Sequence, residues 1–183
     1  MVPGRECGSC GVCCKIPFID DEALQKPPGA LCLNFDKVAG CKIYRTRPQV
    51  CRDYYCGWRM MPNLDDDWRP DKSGVFITDP GDGVSQQYRE RGAMKLVIGS
   101  ARAISRPAFL DFICDMVERG APIYLAVPGP VGHLMAEVQA NAHLAGPVRD
   151  KDRQRIVDVI TGLVKDLVSF AYKTPVMPMR ERH

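Results

Sequence analysis

Cys7-Gly8-Ser9-Cys10-Gly11-Val12-Cys13-Cys14 opens a stretch of fifty residues that continues through Cys32, Cys41 and Cys51 to Cys56. Eight of the nine cysteines lie in it, and only Cys114 lies outside. Thiols oxidise too readily to be gathered like this for packing alone. Disulfides, a redox relay and a metal are the three chemistries such a stretch can serve, and each makes its own demand on the surrounding sequence.

Disulfides need an oxidising compartment, and the start Met1-Val2-Pro3-Gly4-Arg5-Glu6 holds no apolar export segment. The cysteine count is odd, and a chain of 183 residues can bury a core without staples. A thioredoxin-like relay needs a single C-x-x-C where a strand opens into a helix, whereas these motifs overlap among glycines. Metal explains the spacing. In C-x-x-C the two intervening residues let the backbone fold back, so that both sulfurs face one ion, and Gly8 and Gly11 relieve the crowding. The overlapping pairs Cys7/Cys10 and Cys10/Cys13 have the C-x2-C-x2-C spacing of a ferredoxin-type iron–sulfur site. Adjacent side chains point apart, so Cys13 and Cys14 serve either two centres or one centre and its surroundings. The candidate ligands are Cys7, Cys10, Cys13, Cys14, Cys32, Cys41, Cys51 and Cys56, enough for two four-sulfur sites or one polynuclear cluster.

Such a site is anionic. Arg5, Lys15, Lys42, Arg45, Arg47, Arg52 and Arg59 all lie within a few residues of a cysteine, where a cation favours the thiolate. Lys26 and Lys37 read instead as solvated surface. Thr46-Arg47-Pro48-Gln49 has the spacing of a capping box, which predicts a short helix with Cys51 near its positive end.

The run Cys7-x2-Cys10-x2-Cys13-Cys14, the lone Cys32, Cys41-Lys42-Ile43-Tyr44, Arg47-Pro48 and Cys51-Arg52-Asp53-Tyr54 together resemble the CxxCxxCC cysteine-cluster family. That family is described as a zinc- or iron-chelating domain and includes the flagellin lysine N-methylases. The likeness covers about the first third of the chain. It implies a metal-binding domain in which these cysteines are the ligands, and it leaves the reaction open. Tyr54 stands where phenylalanine is common in the family.

The composition, 45% apolar and 26% charged, is that of a globular protein, and a net charge of +3 without a basic run gives no case for nucleic acid. No apolar stretch approaches the length of a membrane span. The expected location is cytoplasmic, where free thiols survive. The expected fold is α+β: a cysteine-rich, loop-dominated metal-binding module (residues 1–59) packed on a small sheet with two main helices (residues 73–173), followed by an irregular tail (174–183). In the module, residues 20–24 read as a short helix that the Pro27-Pro28-Gly29 turn ends, and residues 32–41 as an irregular loop or tight hairpin. Asp65-Asp66-Asp67 reads as turn and cap residues rather than a cation site. Trp58 and Trp68 are expected to pack the module onto the body.

In the body, residues 74–78, 94–99 and 122–128 are predicted strands, and 84–89 a polar strand after the Asp79-Pro80-Gly81 turn. Residues 107–119 and 150–171 are predicted helices, with apolar residues at helical spacing, and Cys114 beside the first stripe reads as a core residue. The Gly129-Pro130-Val131-Gly132-His133 turn lacks a phosphate-loop lysine, so His133 reads as a turn residue; His143 and His183 carry no functional reading.

Two functions follow. One is a metal-binding protein with a structural or redox role, acting through a protein partner, holding iron in an iron–sulfur cluster or zinc, with iron slightly favoured. The alternative is a protein-modifying enzyme such as a lysine N-methyltransferase related to the flagellin methylases; no S-adenosylmethionine loop is legible, and no catalytic residue is readable. Nucleic-acid binding through a knuckle-like surface is a weaker third reading.

Overall fold

The computed structural model describes residues 1–173, 175 and 176, and the chain is α+β. Its first sixty residues form a chain of very short elements: α1 (Val12–Lys15), β1 (Ile19–Asp21), β2 (Leu24–Lys26), β3 (Phe35–Asp36), β4 (Gly40–Cys41), α2 (Gln49–Arg52) and α3 (Gly57–Met60). None is long enough to be stable by its own hydrogen bonds. Side chains tie the turns between them. Asp21 accepts the Ala23 amide at 2.9 Å and closes the β1–β2 hairpin, so the predicted helix over residues 20–24 is two strands. The acidic run that reads as a helix start instead supplies the turn. Asp36 takes the amides of Val38 and Ala39, each at 2.8 Å, and makes residues 32–41 the tight hairpin β3–β4. Helix α2 carries Cys51 as expected, but Thr46 Oγ1 turns back to the Ile43 carbonyl and no side chain caps the helix.

Asp65 accepts the Asp67 amide at 2.9 Å and caps the 3-10 turn Asp66–Trp68, the turn role expected of the aspartate run. The turn and α4 (Pro70–Ser73) lead into β5 (Val75–Thr78). After β5, Ser85 caps α5 (Gln86–Glu90), where the sequence pattern reads as a polar strand; a Gln86–Glu90 hydrogen bond of 3.1 Å spans the helix. Then come β6 (Met94–Ile98), α6 (Pro107–Glu118), β7 (Ile123–Val127), β8 (Ala136–Gln139), α7 (Asn141–Arg149) and α8 (Arg153–Ala171). The sheet order is β5-β6-β7-β8, with β6 and β7 parallel and the outer pairs antiparallel. A parallel pair needs a crossover, and α6 lies on it, opened by Pro107 in its first turn. Neither β8 nor α7 is among the elements expected from the sequence. Asn141 at the start of α7 accepts the Ile123 amide and donates to the Ala121 carbonyl, both at 2.8 Å, and so pins the start of β7.

The alternation of side chains along the strands sorts the sheet into two faces. Val75, Ile77, Leu96, Ile98, Ile123, Leu125, Val127 and Ala136 join Phe109, Ile113, Leu144, Ile156 and Ile160 in the main core, so α6, α7 and α8 cover that face. Phe76, Val97 and Ala126, side by side in register, face the other way. Ile16 completes their small cluster, and Val12, Cys13, Tyr54 and Cys56 pack against it. The cysteine-bearing segment therefore roofs the sheet face opposite α6, α7 and α8. Tyr54 strengthens the dock with a 2.8 Å hydrogen bond to the Thr78 hydroxyl. Trp58 and Trp68 are both buried in the main core, where Trp68 meets the Phe112 ring at 5.1 Å. Nearly all of the expected irregular tail lies outside the described residues; Pro175 pairs with His133 as an isolated bridge.

Candidate metal centre

Seven of the eight clustered cysteines, Cys7, Cys10, Cys13, Cys14, Cys32, Cys41 and Cys51, line one cavity of about 560 Å³. Cys56 stands outside its wall and packs beside Cys13 on the Phe76–Val97–Ala126 cluster. Cys114 lies on α6 against the main core, half-buried rather than the fully buried core residue expected. None of the nine is in a disulfide. Residues scattered over fifty positions meet here because each hairpin and turn returns the chain to the α1 knuckle. The Cys32 amide donates to the Cys14 carbonyl at 3.0 Å, and the Phe35 amide to the Cys32 carbonyl at 3.0 Å. Opposite Phe35 in the hairpin stands Cys41.

Two glycines permit the closeness. Gly40 has φ +76°, and a Cβ there would lie 2.2 Å from the Gly8 carbonyl oxygen. At Gly11 a Cβ would run into the Phe35 ring. The hairpin can thus lie directly on the Cys7–Cys10 knuckle, which is itself closed by a 2.9 Å bond from the Cys10 amide to the Cys7 carbonyl.

The thiols do not share one environment. Burial pushes Cys10 up to about 11 and also raises Cys51 and Cys56. Cys14 is lowered to about 7, first by a hydrogen bond from the Cys13 thiol and then by the charges of Lys26 and Arg47. Cys13 is raised, chiefly as the donor in that bond. Cys13 and Cys14 follow one another in α1, so their side chains leave the helix axis roughly 100° apart.

The cations around the site match those the sequence singled out only in part: Arg47 and Arg59 are among them, and Lys26 is not. Lys26, expected on the solvated surface, is 4% exposed; its ammonium donates to the carbonyls of Lys15, Pro27 and Ala30 at 2.9–3.1 Å. Arg47 lies over the Tyr44 ring at 4.0 Å and donates to the Cys51 carbonyl at 3.0 Å. Arg5, by contrast, is spent on the carbonyls of Trp58, Met61 and Leu64, and ties the amino terminus to the turn after α3. Arg59 is 7% exposed; one nitrogen reaches Met1 Sδ, while its Nε and Nη1 are buried with no hydrogen-bond partner among the described residues. It lines a second cavity together with Cys7 and Cys41.

Among the described residues, no three His, Cys, Asp or Glu side chains converge closely enough to take one ion between them. His133 sits in its turn with Nδ1 3.3 Å from the Val131 carbonyl, away from the cysteines, as the turn reading had it. Among the described residues no helix is long and apolar enough to cross a membrane. No family model, no curated protein and no solved structure matches the chain, so the likeness to the CxxCxxCC family rests on the cysteine motifs themselves.

Proposed function

We propose that the protein is a cytoplasmic metal-binding protein that holds iron as iron–sulfur through its clustered cysteine thiolates, in a structural or redox role. The observation that carries this reading is the shared cavity, with seven thiols on its wall beside buried Lys26 and half-buried Arg47. The donor chemistry suits the group. Thiolates are the ligands iron–sulfur clusters take, and an anionic cluster calls for cations and N–H donors close by. Lys26 and Arg47 meet that need beside Cys14, and Arg59 has two buried donors unspent in a wall that includes Cys7.

The spread of the thiols favours iron–sulfur over zinc. Four sulfurs on one zinc stand about 3.8 Å apart, set by Zn–S bonds of about 2.3 Å. A cluster assigns its cysteines to different irons, so they ring a cavity rather than meet at a point. Seven thiols spread along one cavity wall support the second arrangement. With the group bound, Cys7, Cys10, Cys13, Cys14, Cys32, Cys41, Cys51 and Cys56 would be its ligands, and the group would supply one-electron chemistry. Phe18, Ile19, Leu24, Ile43 and Val50 would shield it from water.

Anaerobic purification followed by iron, sulfide and zinc analysis tests the reading. The expected product is brown, absorbs in the visible and contains iron and sulfide. Protein with neither iron nor zinc, in which every thiol reacts at once with an alkylating reagent, would overturn it. Enzymatic activity of the methylase kind is addressed by S-adenosylmethionine binding to the same preparation, which this reading expects to be absent.

A further inference from the structure

We propose that the cavity between the amino-terminal arm and the β3–β4 hairpin binds a small oxyanion, the phosphate or carboxylate group of a small molecule, on the side chain of Arg59. The site is separate from the thiol cavity, and it does not depend on which group the thiols hold.

The cavity has a volume of about 590 Å³, within the roughly 300–1,000 Å³ of small-molecule sites. Residues 1–8 line it, with Ala39, Cys41, Tyr44, Arg45 and Arg59. Cys7, Gly8, Cys41 and Tyr44 also border the thiol cavity, whereas Arg45 and Arg59 border only this one of the two. Its charged lining is three arginines against one glutamate. Arg5 is spent on the carbonyls of Trp58, Met61 and Leu64. Arg45 and Glu6 are exposed.

Arg59 is the exception. It is 7% exposed, and no carboxylate among the described residues pairs with it. Its Nε and Nη1 have no hydrogen-bond partner there, and Nη2 reaches only the Met1 sulfur, at 3.1 Å. A buried charge is strongly unfavourable unless it is paired, and buried donors are rarely left unbonded. The partner Nη2 does have is easily replaced, since a thioether is a weak acceptor and Met1 is itself 61% exposed. Nε and Nη2 form one edge of the guanidinium, and such an edge takes two oxygens of a carboxylate or phosphate at once. An anion that displaces the Met1 thioether gains that edge complete. The side chain is fixed for the purpose. The Arg59 amide donates to the Cys56 carbonyl at 2.9 Å, the Arg59 carbonyl accepts the Val2 amide at 2.8 Å, and the Tyr55 ring stands 5.8 Å from the guanidinium carbon. Arg45 adds a second positive charge to the lining.

Calorimetric titration of the full chain, in buffer free of phosphate and carboxylates, tests the site with inorganic phosphate and succinate as probes. Saturable binding of at least one is expected, and the tighter of the two identifies the head group; binding of neither would overturn the proposal. Arg59→Met should weaken that binding by about tenfold or more, the loss of a charge-assisted pair of hydrogen bonds. Arg59→Lys keeps the charge, lacks the two-donor edge, and should weaken it as well. Arg102→Met, on an exposed arginine elsewhere, should not. Wild-type affinity in both Arg59 variants would overturn the proposal, and should Arg59→Met fail to fold, Arg59→Lys and the wild-type titrations decide. Glu6→Gln should leave the melting temperature in anion-free buffer unchanged; a fall would make Glu6 the partner of Arg59 and remove the case for a ligand. Iron content of Arg59→Met should equal that of the wild type. Loss of iron with anion binding intact would assign the arginine to the neighbouring group instead. Protein that binds the anion and no iron would leave this site standing and sink the metal reading.

Discussion

Replacing Gly40 with alanine tests whether the β3–β4 hairpin must lie on the Cys7–Cys10 knuckle for the site to exist. The substitution carries two separable costs. The first is conformational: φ is +76°, and a left-handed conformation costs a residue with a side chain about 1–2 kcal/mol. The second is steric. The new methyl would sit 2.2 Å from the Gly8 oxygen and 3.0 Å from its carbonyl carbon, and both are backbone atoms that cannot rotate away. The hairpin would have to lift by more than an ångström, a displacement of the overpacking kind that costs about 1–3 kcal/mol. Gly8→Ala supplies the control, since Gly8 has φ +52° but nothing within 4 Å of the methyl group it would gain. It carries the first cost alone. Gly162→Ala in α8, with open space and a helical backbone, should stabilise by about 0.5–1 kcal/mol. Urea denaturation followed by tryptophan fluorescence, with metal content of each variant, reads the series. Gly40→Ala should be less stable than Gly8→Ala by about 1 kcal/mol or more and should lose metal in proportion. Equal stability of these two variants would show that the hairpin does not need the close approach, and the account of how the cysteines meet would fail.

Other expectations concern charge, location and cooperativity. In metal-free protein Cys14 should be the thiol most reactive to iodoacetamide, with a rate midpoint near pH 7, while Cys10 should need a pH near 11. The folded pKa of Cys14 is depressed below the unfolded value of 9.0, so its contribution to stability is fully present above pH 9 and is lost as pH falls through about 7. A Cys14 midpoint at or above 9 contradicts the hydrogen bond from Cys13. Lys26→Met should move that midpoint up and destabilise by about 2 kcal/mol or more, because buried carbonyls lose their donor; Lys37→Met, on the exposed hairpin tip, should do neither. Cys114→Ser should leave metal content unchanged, and loss of metal there would disqualify the ligand set. Chelation should strip hydrogen-exchange protection from residues 7–56 and spare residues 109–117 and 156–168. Uniform loss along the chain would mean one cooperative unit rather than a module and a body.

The elements legible in the sequence are those with enough periodic apolar residues to declare themselves. β5, β6 and β7 are short apolar runs bounded by glycine and proline, and α6 and α8 carry stripes at helical spacing. The elements that escape such a reading are decided by single polar contacts. Asp21 holds a hairpin turn, Ser85 caps α5, and Asn141 anchors α7 to β7; each contact depends on a fold that no local pattern records. The candidate ligands are readable because metal chemistry constrains residue type and spacing. Their surroundings are not. Lys26 lies eleven residues from its Lys15 partner and six from Cys32, yet only the return of β2 onto α1 buries it. Arg5 looks like a counter-charge by proximity in sequence and proves to be a clamp on three carbonyls more than fifty residues away.

The roof over Phe76, Val97 and Ala126 has a consequence for the life of the chain in the cell. Here the cover over that face is a set of turns and very short elements whose cohesion, on the reading given above, comes from a supplied ion. A chain made when that supply is short would present a sticky apolar strip, with β-strand residues at its surface. Quality-control proteases and chaperones recognise such surfaces, so the standing amount of the protein would follow metal availability without any dedicated sensor. Folding itself would meter the pool, and a chain left waiting for metal would be cleared before it could accumulate.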